Sequence, residues 1–138
     1  MARTDSFRKQ HQDIGIVVKA ISAKLNPTKV AADPQGMRAL LSQLMGKLNV
    51  HLAMEDKALY PDMLKALDAN VAATTKRFMS EMGGIAAAAK KYSDGYLSPQ
   101  AIAANPRDFI RDTNSVFSAL SVRIKKEETE LYPMADKM

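Results

Sequence analysis

The chain has 138 residues, a length typical of one domain, and we predict a single domain over residues 1–138. Its 46% apolar and 25% charged residues are ordinary for a globular protein and exclude wholesale disorder. It has no cysteine, which excludes disulfides, thiolate metal sites and cysteine nucleophiles, so any metal must bind His and carboxylate side chains. No apolar run approaches the length of a membrane span, and the first residues lack the apolar core of a signal peptide. We therefore expect a cytoplasmic protein without a membrane partner.

Basic and acidic residues are mixed along the sequence. There are 20 basic and 15 acidic side chains, which give a formal charge of +5 and an isoelectric point near 9.5. The basic residues occur singly or in pairs and are not interleaved with aromatic residues, as they are in many nucleic-acid-binding segments. The pair Lys125-Lys126 directly precedes Glu127, Glu128 and Glu130, whose carboxylates would repel phosphate. These features favour a solvated surface of mixed charge and no nucleic-acid partner.

Apolar residues at helical spacing predict two helices in the first half of the chain. The first begins near Asp5 and is stopped by the Asn-Pro pair at 26–27. Its inner face comprises Phe7, His11, Ile14, Val18, Ile21 and Leu25. The second begins at the Asp-Pro pair at 33–34, breaks at the Tyr-Pro pair at 60–61, and is followed by a short turn near residues 62–67. Its inner face comprises Met37, Leu41, Leu44, Leu48, His51 and Glu55.

Two more helices are predicted in the second half. The third ends at the Ser-Asp-Gly sequence at 93–95, and its inner face comprises Val71, Phe78, Met82, Ile85, Ala89 and Tyr92. A short helical turn is expected at the Ser-Pro pair at 98–99. The fourth helix begins at the Asn-Pro pair at 105–106, with an inner face of Phe109, Val116, Leu120, Arg123, Glu127 and Leu131. Because no segment alternates with period two, the predicted fold is all-α, an antiparallel up-down-up-down four-helix bundle.

The two halves of the sequence are similar to each other. Residues 33–61 align without a gap on residues 105–133, an offset of 72, and residues 7–22 align on 78–93, an offset of 71. The one-residue difference falls in a loop, where it costs little. Matching positions include Pro34/Pro106, Leu48/Leu120, Glu55/Glu127, Leu59/Leu131, Tyr60/Tyr132 and Pro61/Pro133 in the first alignment and Phe7/Phe78 and Ile14/Ile85 in the second. This indicates a helical hairpin that occurs twice.

Five polar residues lie on the predicted inner faces: His11, His51, Glu55, Arg123 and Glu127. Since His51 and Glu55 are one helical turn apart, both side chains point to the same side of the helix. A buried carboxylate without a partner would cost several kcal/mol, so two buried glutamates require a cation. That cation can be a metal ion, a protonated histidine or the arginine. Imidazole together with carboxylate suits iron, manganese or zinc.

On these residues the sequence resembles the hemerythrin family, specifically its bacterial hemerythrin-like (HHE) domains. The resemblance covers essentially the whole chain. It rests on His-Gln-Asp-Ile at 11–14, on His51-x-x-x-Glu55 followed by Leu-Tyr-Pro at 59–61, and on the second Leu-Tyr-Pro at 131–133 after Glu127. The resemblance implies a four-helix bundle around a carboxylate-bridged pair of irons. It also implies a role in binding or sensing dioxygen, in handling iron, or in oxidative and nitrosative stress.

The sequence departs from the family pattern at one half of the metal site. The repeat alignment places Met82 opposite His11 and Arg123 opposite His51, where the resemblance would put histidines for one of the two irons. The chain has only two histidines, so no other imidazole can replace them. The resemblance then implies His11 and His51 as terminal metal ligands. A complete dinuclear, oxygen-carrying centre is not expected.

Two interpretations of the remaining residues stay open. In the first, His11, His51, Glu55 and Glu127 bind one divalent ion, and Arg123 takes the space and charge of the missing second ion, with Met82 beside it. In the second, no metal binds: Arg123 pairs with the two glutamates, and a protonated histidine balances the remaining charge.

The corresponding function hypotheses differ in kind. One is a non-enzymatic metal-binding protein with an incomplete site for at most one ion (Fe, or another divalent ion such as Zn or Mn), used in oxygen, iron or stress sensing. The alternative is a metal-free pseudo-hemerythrin, a signalling or scaffold module. An iron-dependent enzyme is not expected, because the sequence shows neither open coordination positions nor a substrate pocket. Dioxygen or another small ligand, a second copy of the chain, and an unknown protein all stay open as partners.

Overall fold

The computed structural model describes residues 2–138, which are 86% helical and contain no strand. The predicted all-α fold class is therefore confirmed. Met1, the first residue of the predicted domain, lies outside the described residues, and the single domain and the antiparallel bundle order stay predictions. Within the described part of the chain, no helix combines the length and the apolar character that crossing a membrane requires.

Four long helices dominate the structure, with shorter helical segments between and after them. In chain order the α-helices are α1 (Asp5–Ser22), α2 (Pro27–Ala32), α3 (Pro34–Met54), α4 (Tyr60–Leu64), α5 (Ala69–Asp94), α6 (Pro99–Ala104), α7 (Pro106–Lys126) and α8 (Tyr132–Asp136). A five-residue π-helical segment follows α3 (Glu55–Leu59), and another follows α7 (Glu127–Leu131). The bounds of α3, its π-helical segment and α4 recur 72 residues later in α7, the second π-helical segment and α8.

The Asx-Pro pairs start α3 and α7 as the sequence predicts. The Asp33 carboxylate accepts a hydrogen bond from the Gly36 amide at 2.9 Å, and the Asn105 side chain accepts one from the Asp108 amide at 3.2 Å. Each cap satisfies an amide that the first helical turn leaves without a partner, and the proline that follows has no N–H to satisfy.

The predicted break at the Tyr-Pro pair at 60–61 is wrong, because the chain stays helical through it. A proline ring collides with the carbonyl four residues earlier and offers no N–H to that carbonyl. Here the turn before each proline widens to a π-helix: the Tyr60 amide donates to the Glu55 carbonyl, and the Tyr132 amide donates to the Glu127 carbonyl, each five residues back. The helix therefore continues across the proline, and α4 and α8 replace the predicted break.

Buried apolar side chains form two clusters. The larger lies between α1, α3, α5, α6 and α7 and includes Ile14, Ile21, Leu41, Leu44, Leu48, Phe109 and Leu120. The smaller surrounds the two π-helical segments and includes Phe7, Leu59, Tyr60, Phe78, Leu131 and Tyr132. His11 lies between Phe7 and Ile14 in the sequence of α1, and Glu127 lies between Leu120 and Leu131. The polar residues of the predicted site therefore lie where the two clusters meet.

Candidate metal centre

Two imidazoles from different helices meet in the interior. His11 on α1 is 6% exposed and His51 on α3 is 1% exposed. Their Nε2 atoms are 3.0 Å apart. Both residues lie on the apolar face of an amphipathic helix, so the packing of α1 against α3 brings the two rings together.

The Glu127 carboxylate completes a group of three side chains. Its Oε1 atom lies 2.9 Å from the His11 Nε2 atom and 3.4 Å from the His51 Nε2 atom. Ligands at about 2.1 Å from a metal ion are separated by about 3.0 Å at a right angle and about 3.4 Å at a tetrahedral angle. Among the described residues, His11, His51 and Glu127 form a set with metal-ligating atoms all within 4.8 Å of one another. The three spacings are those that one ion would require.

The outer nitrogens of both imidazoles face hydrogen-bond acceptors. The His11 Nδ1 atom lies 2.8 Å from the Glu128 carboxylate, and the His51 Nδ1 atom lies 2.6 Å from the side-chain amide oxygen of Gln10. A carboxylate and an amide oxygen can only accept, so each Nδ1 carries the proton and donates. In the neutral ring this leaves the Nε2 lone pair pointing into the site, which is the arrangement that metal-binding histidines use.

Glu55, the fourth predicted ligand, lies at the edge of this group. It is fully buried, and its Oε1 atom is 3.4 Å from the His51 Nε2 atom. Its Oε2 atom accepts a 2.7 Å hydrogen bond from the Tyr132 hydroxyl. The Tyr60 hydroxyl lies farther away, 3.4 Å from Glu55 and 3.5 Å from Glu127. The structure thus brings all four predicted ligands together, three of them in a single compact group.

The two buried carboxyls differ in their proton affinity. Burial, and the neighbouring Glu127 carboxylate, raise the pKa of Glu55 far above its usual value. Burial also acts to raise the pKa of Glu127, but its close contacts with His11, His51 and Glu55 outweigh burial and hold that pKa below its usual range. Without a metal ion, Glu55 is therefore the neutral member of the pair and Glu127 the ionised one.

The contacts among His11, His51 and Glu127 have no hydrogen-bond donor of their own. Two Nε2 lone pairs and the Glu127 carboxylate converge, while the nearest hydroxyl, that of Tyr132, donates to Glu55. Three acceptor atoms at hydrogen-bond distance from one another require a proton or a metal ion between them. The donor set, two imidazoles and a carboxylate, is one that iron, zinc and manganese bind. The residues present therefore fit a single metal ion.

The arginine expected to fill the missing half of the site has a different partner. Arg123 forms an ion pair with Glu81 of α5, instead of pairing with Glu55 and Glu127 as the metal-free interpretation predicted. The side chains of Arg123 and Glu81 are 14% and 35% exposed, so the pair is partly buried. Glu81 is not among the site residues that the sequence predicts. Met82, the next residue, is buried at 3% exposure, as predicted for its inner-face position.

Three further residues of the centre were missed: Gln10, Glu128 and Tyr132. Sequence reasoning follows the residues of one helix face, and Gln10 and Glu128 are each adjacent to a ligand and therefore point in another direction. Tyr132 lies five residues after Glu127, a spacing that an α-helix places on different sides. The π-helical turn brings the two to 3.3 Å, and the Leu-Tyr-Pro sequence is the signal that could have indicated it.

Together the helices and the buried imidazoles and carboxylates define an all-helical protein with a group of side chains that could hold a metal ion without haem. Residues 2–135 match the model of the hemerythrin HHE cation binding domain. Since the match covers nearly all of the 138 residues, the chain belongs to the hemerythrin family, as the resemblance in the sequence indicated. Comparisons with curated proteins and with solved structures gave no match.

Proposed function

We propose that the protein binds one divalent transition-metal ion, with iron as the first candidate, and that it acts as a sensor rather than an enzyme. The observation that carries this proposal is the convergence of the His11, His51 and Glu127 acceptor atoms at spacings of 2.9–3.4 Å. Glu55 is the fourth ligand in this proposal. Zinc and manganese suit the same donor set and are the competing ions.

The proposed stoichiometry of one ion rests on the other half of the centre. Met82 offers only a thioether sulfur, which is a weak ligand for a hard divalent ion. Arg123 brings a permanent positive charge, which repels a second cation. Glu81 neutralises that charge and so favours keeping the arginine in place.

In this proposal each residue has a separate task. A bound ion would supply reversible ligand binding or a change of oxidation state. His11 and His51 hold the ion through Nε2, and the ionised Glu127 offsets part of its charge. The Tyr132 hydroxyl holds the Glu55 carboxyl in position at 2.7 Å. The surrounding apolar cluster keeps bulk water out, which is useful for sensing dioxygen, iron or an oxidative stress.

A metal-free signalling or scaffold module is the second candidate. The raised pKa of Glu55 favours it, because a neutral Glu55, an ionised Glu127 and one protonated histidine make a core of zero net charge. In that case the proton would occupy the space between the three acceptor atoms. Both versions of the proposal place the protein in the cytoplasm without a nucleic-acid partner. Both leave room for a small ligand or a protein partner.

The test is the metal content of the purified chain after expression in iron-supplemented medium, together with that of His51→Ala and Arg123→Ala. These two positions correspond in the repeat alignment. We expect close to one ion per wild-type chain, a loss of binding of more than about 100-fold in His51→Ala, and unchanged binding in Arg123→Ala. Two ions per chain would contradict the stoichiometry. No ion in the wild type, after reconstitution with Fe²⁺, Zn²⁺ and Mn²⁺, would overturn the proposal in favour of the metal-free module.

A further inference from the structure

Two consecutive glutamates hold His11 from both sides. Glu127 reaches the Nε2 atom at 2.9 Å, and Glu128 reaches the Nδ1 atom at 2.8 Å. Both lie at the start of the second π-helical segment, so one turn of backbone provides the contacts to both ring nitrogens. Glu127 is fully buried, whereas the Glu128 side chain is 30% exposed and faces the outside of the centre.

Glu128 is itself held by charged and polar groups near both chain ends. Its second oxygen accepts a 2.5 Å hydrogen bond from the Arg8 guanidinium. Arg8 also contacts the Thr4 hydroxyl at 3.1 Å and the Asp136 carboxylate at 3.4 Å. The Thr4 hydroxyl in turn donates to Asp136 at 2.8 Å. Of these residues only Arg8 touches Glu128, and this direct contact holds the carboxylate at the position from which it contacts His11.

We propose that Glu128 is a positioning residue of the metal centre, one that orients His11 and makes it the stronger of the two imidazole ligands. This inference rests on the proposed metal-binding function. A carboxylate partner keeps the proton on Nδ1, fixes the plane of the ring and increases the electron density at Nε2. The His51 ring also has its Nδ1 atom against an acceptor, but that acceptor is the neutral side-chain amide of Gln10. A neutral amide increases the electron density at Nε2 less than a carboxylate does.

The repeat supports this assignment. The position that corresponds to Glu128 at an offset of 72 is Asp56, which is exposed. The position that corresponds to His11 at an offset of 71 is Met82, which has no ring nitrogen to orient. The long acidic side chain is thus present in the half that has a histidine to hold. In the other half the acidic side chain is shorter and lies in solvent.

The experiment is a titration of the metal-free full-length chain with Co²⁺, followed by its visible absorption bands. Glu128→Gln keeps an acceptor for the Nδ1 proton but removes the charge, and we expect affinity for Co²⁺ to fall by about tenfold. Glu128→Ala removes both, and we expect a fall approaching 100-fold together with a shift of the absorption bands. Helical circular dichroism and urea melts of the metal-free variants show whether each one folds.

Asp136→Ala is the matched control. It breaks the same network through Arg8 and Thr4, but it does not touch His11, so it should lower stability while changing affinity for Co²⁺ by less than about twofold. Equal losses of affinity in Asp136→Ala and Glu128→Ala would show a general structural role and overturn the inference. Wild-type affinity and absorption bands in both Glu128 variants would also overturn it. A wild-type chain that binds no Co²⁺, Fe²⁺, Zn²⁺ or Mn²⁺ would instead contradict the proposed function itself.

Discussion

In both halves of the centre a side chain of one helix holds a side chain of its neighbour, but the charges of the two pairs differ. On one side Gln10 of α1 contacts the outer nitrogen of His51 on α3. At the corresponding repeat positions on the other side, Glu81 of α5 pairs with Arg123 of α7. In the first pair, the His51 Nε2 lone pair faces the interior and can bind a cation. The second pair contains a cation of its own.

This difference supports the proposal that one half binds a metal ion and the other does not. In both halves, one residue holds a side chain of the neighbouring helix in place. In the half with histidines, the holding residue is neutral because a neutral imidazole needs only an acceptor. In the half with Arg123, the holding residue is an acid because a guanidinium in a partly buried place needs a counter-charge. Compared with the half that has His51 and Gln10, Arg123 thus has a guanidinium in place of the imidazole, and Glu81 has a carboxylate in place of the amide.

The largest expected effect is the gain of a second ion. Met82→His combined with Arg123→His adds two imidazoles and removes the charge that opposes a second cation. Glu81 then becomes free to accept from the outer nitrogen of the new imidazole at position 123, as Gln10 does for His51. We expect two Fe²⁺ ions per chain by elemental analysis and native mass spectrometry, whereas each single variant should bind no more than the parent.

The control for this prediction also adds two imidazoles, but it places one of them at an exposed position of α5, away from the buried position 82. Met79 lies on α5 one turn before Met82 but is 37% exposed. Met79→His combined with Arg123→His should therefore bind the same number of ions as the parent. If the Met82 combination folds, as judged by circular dichroism, and gains no metal, then the side chains at 82 and 123 do not converge on Glu55 and Glu127, and the alignment of the two halves is wrong at the centre.

Much of the fold and of the candidate site could be predicted from the sequence, because both depend on helix periodicity. His11, His51, Glu55 and Glu127 share the apolar faces of their helices, so spacing alone predicted that they are buried and close together. The all-α class followed from the same pattern. The starts of α3 and α7 could be predicted because an Asx side chain before proline satisfies a specific amide.

The remaining features depend on contacts between segments distant in the sequence, which spacing on one helix does not encode. The partner of Arg123 is an example: the helical spacing turns Glu81 away from the inner face of α5, so it does not predict this contact. A guanidinium on a long flexible stem can reach such a carboxylate, and the two opposite charges then compensate each other where the side chains are partly buried. The π-helical segments were missed because proline alone does not reveal whether a helix breaks or widens.

A second prediction compares the two tyrosines that occupy corresponding positions after the π-helical segments. Tyr132 donates a 2.7 Å hydrogen bond to Glu55, whereas Tyr60 is 3.4–3.5 Å from both carboxyls, beyond the usual range for a hydroxyl. Tyr132→Phe should lower the free energy of unfolding of the metal-free chain by about 1–3 kcal/mol, since it leaves a buried carboxyl without its donor. Tyr60→Phe should lower it by less than about 0.5 kcal/mol, because that hydrogen bond is weak. Urea melts in the presence of a chelator measure both values, and equal losses in the two variants would show that the distances do not set the hydrogen-bond strengths.

The smallest expected effect concerns the ion pair itself. Because the Glu81 side chain is 35% exposed, water screens its attraction to Arg123, and the pair is weaker than a fully buried one. We expect a double-mutant cycle of Glu81→Ala and Arg123→Ala to give a coupling energy of about 1 kcal/mol, falling as salt is raised. Arg111 and Asp108, an exposed pair three residues apart on α7, provide the reference, with an expected coupling of less than about 0.5 kcal/mol. If the coupling energy between Arg123 and Glu127 exceeded the one between Arg123 and Glu81, Arg123 would belong to the centre. It would then compensate the buried carboxylates directly, and the two halves would share one charge balance instead of two separate ones.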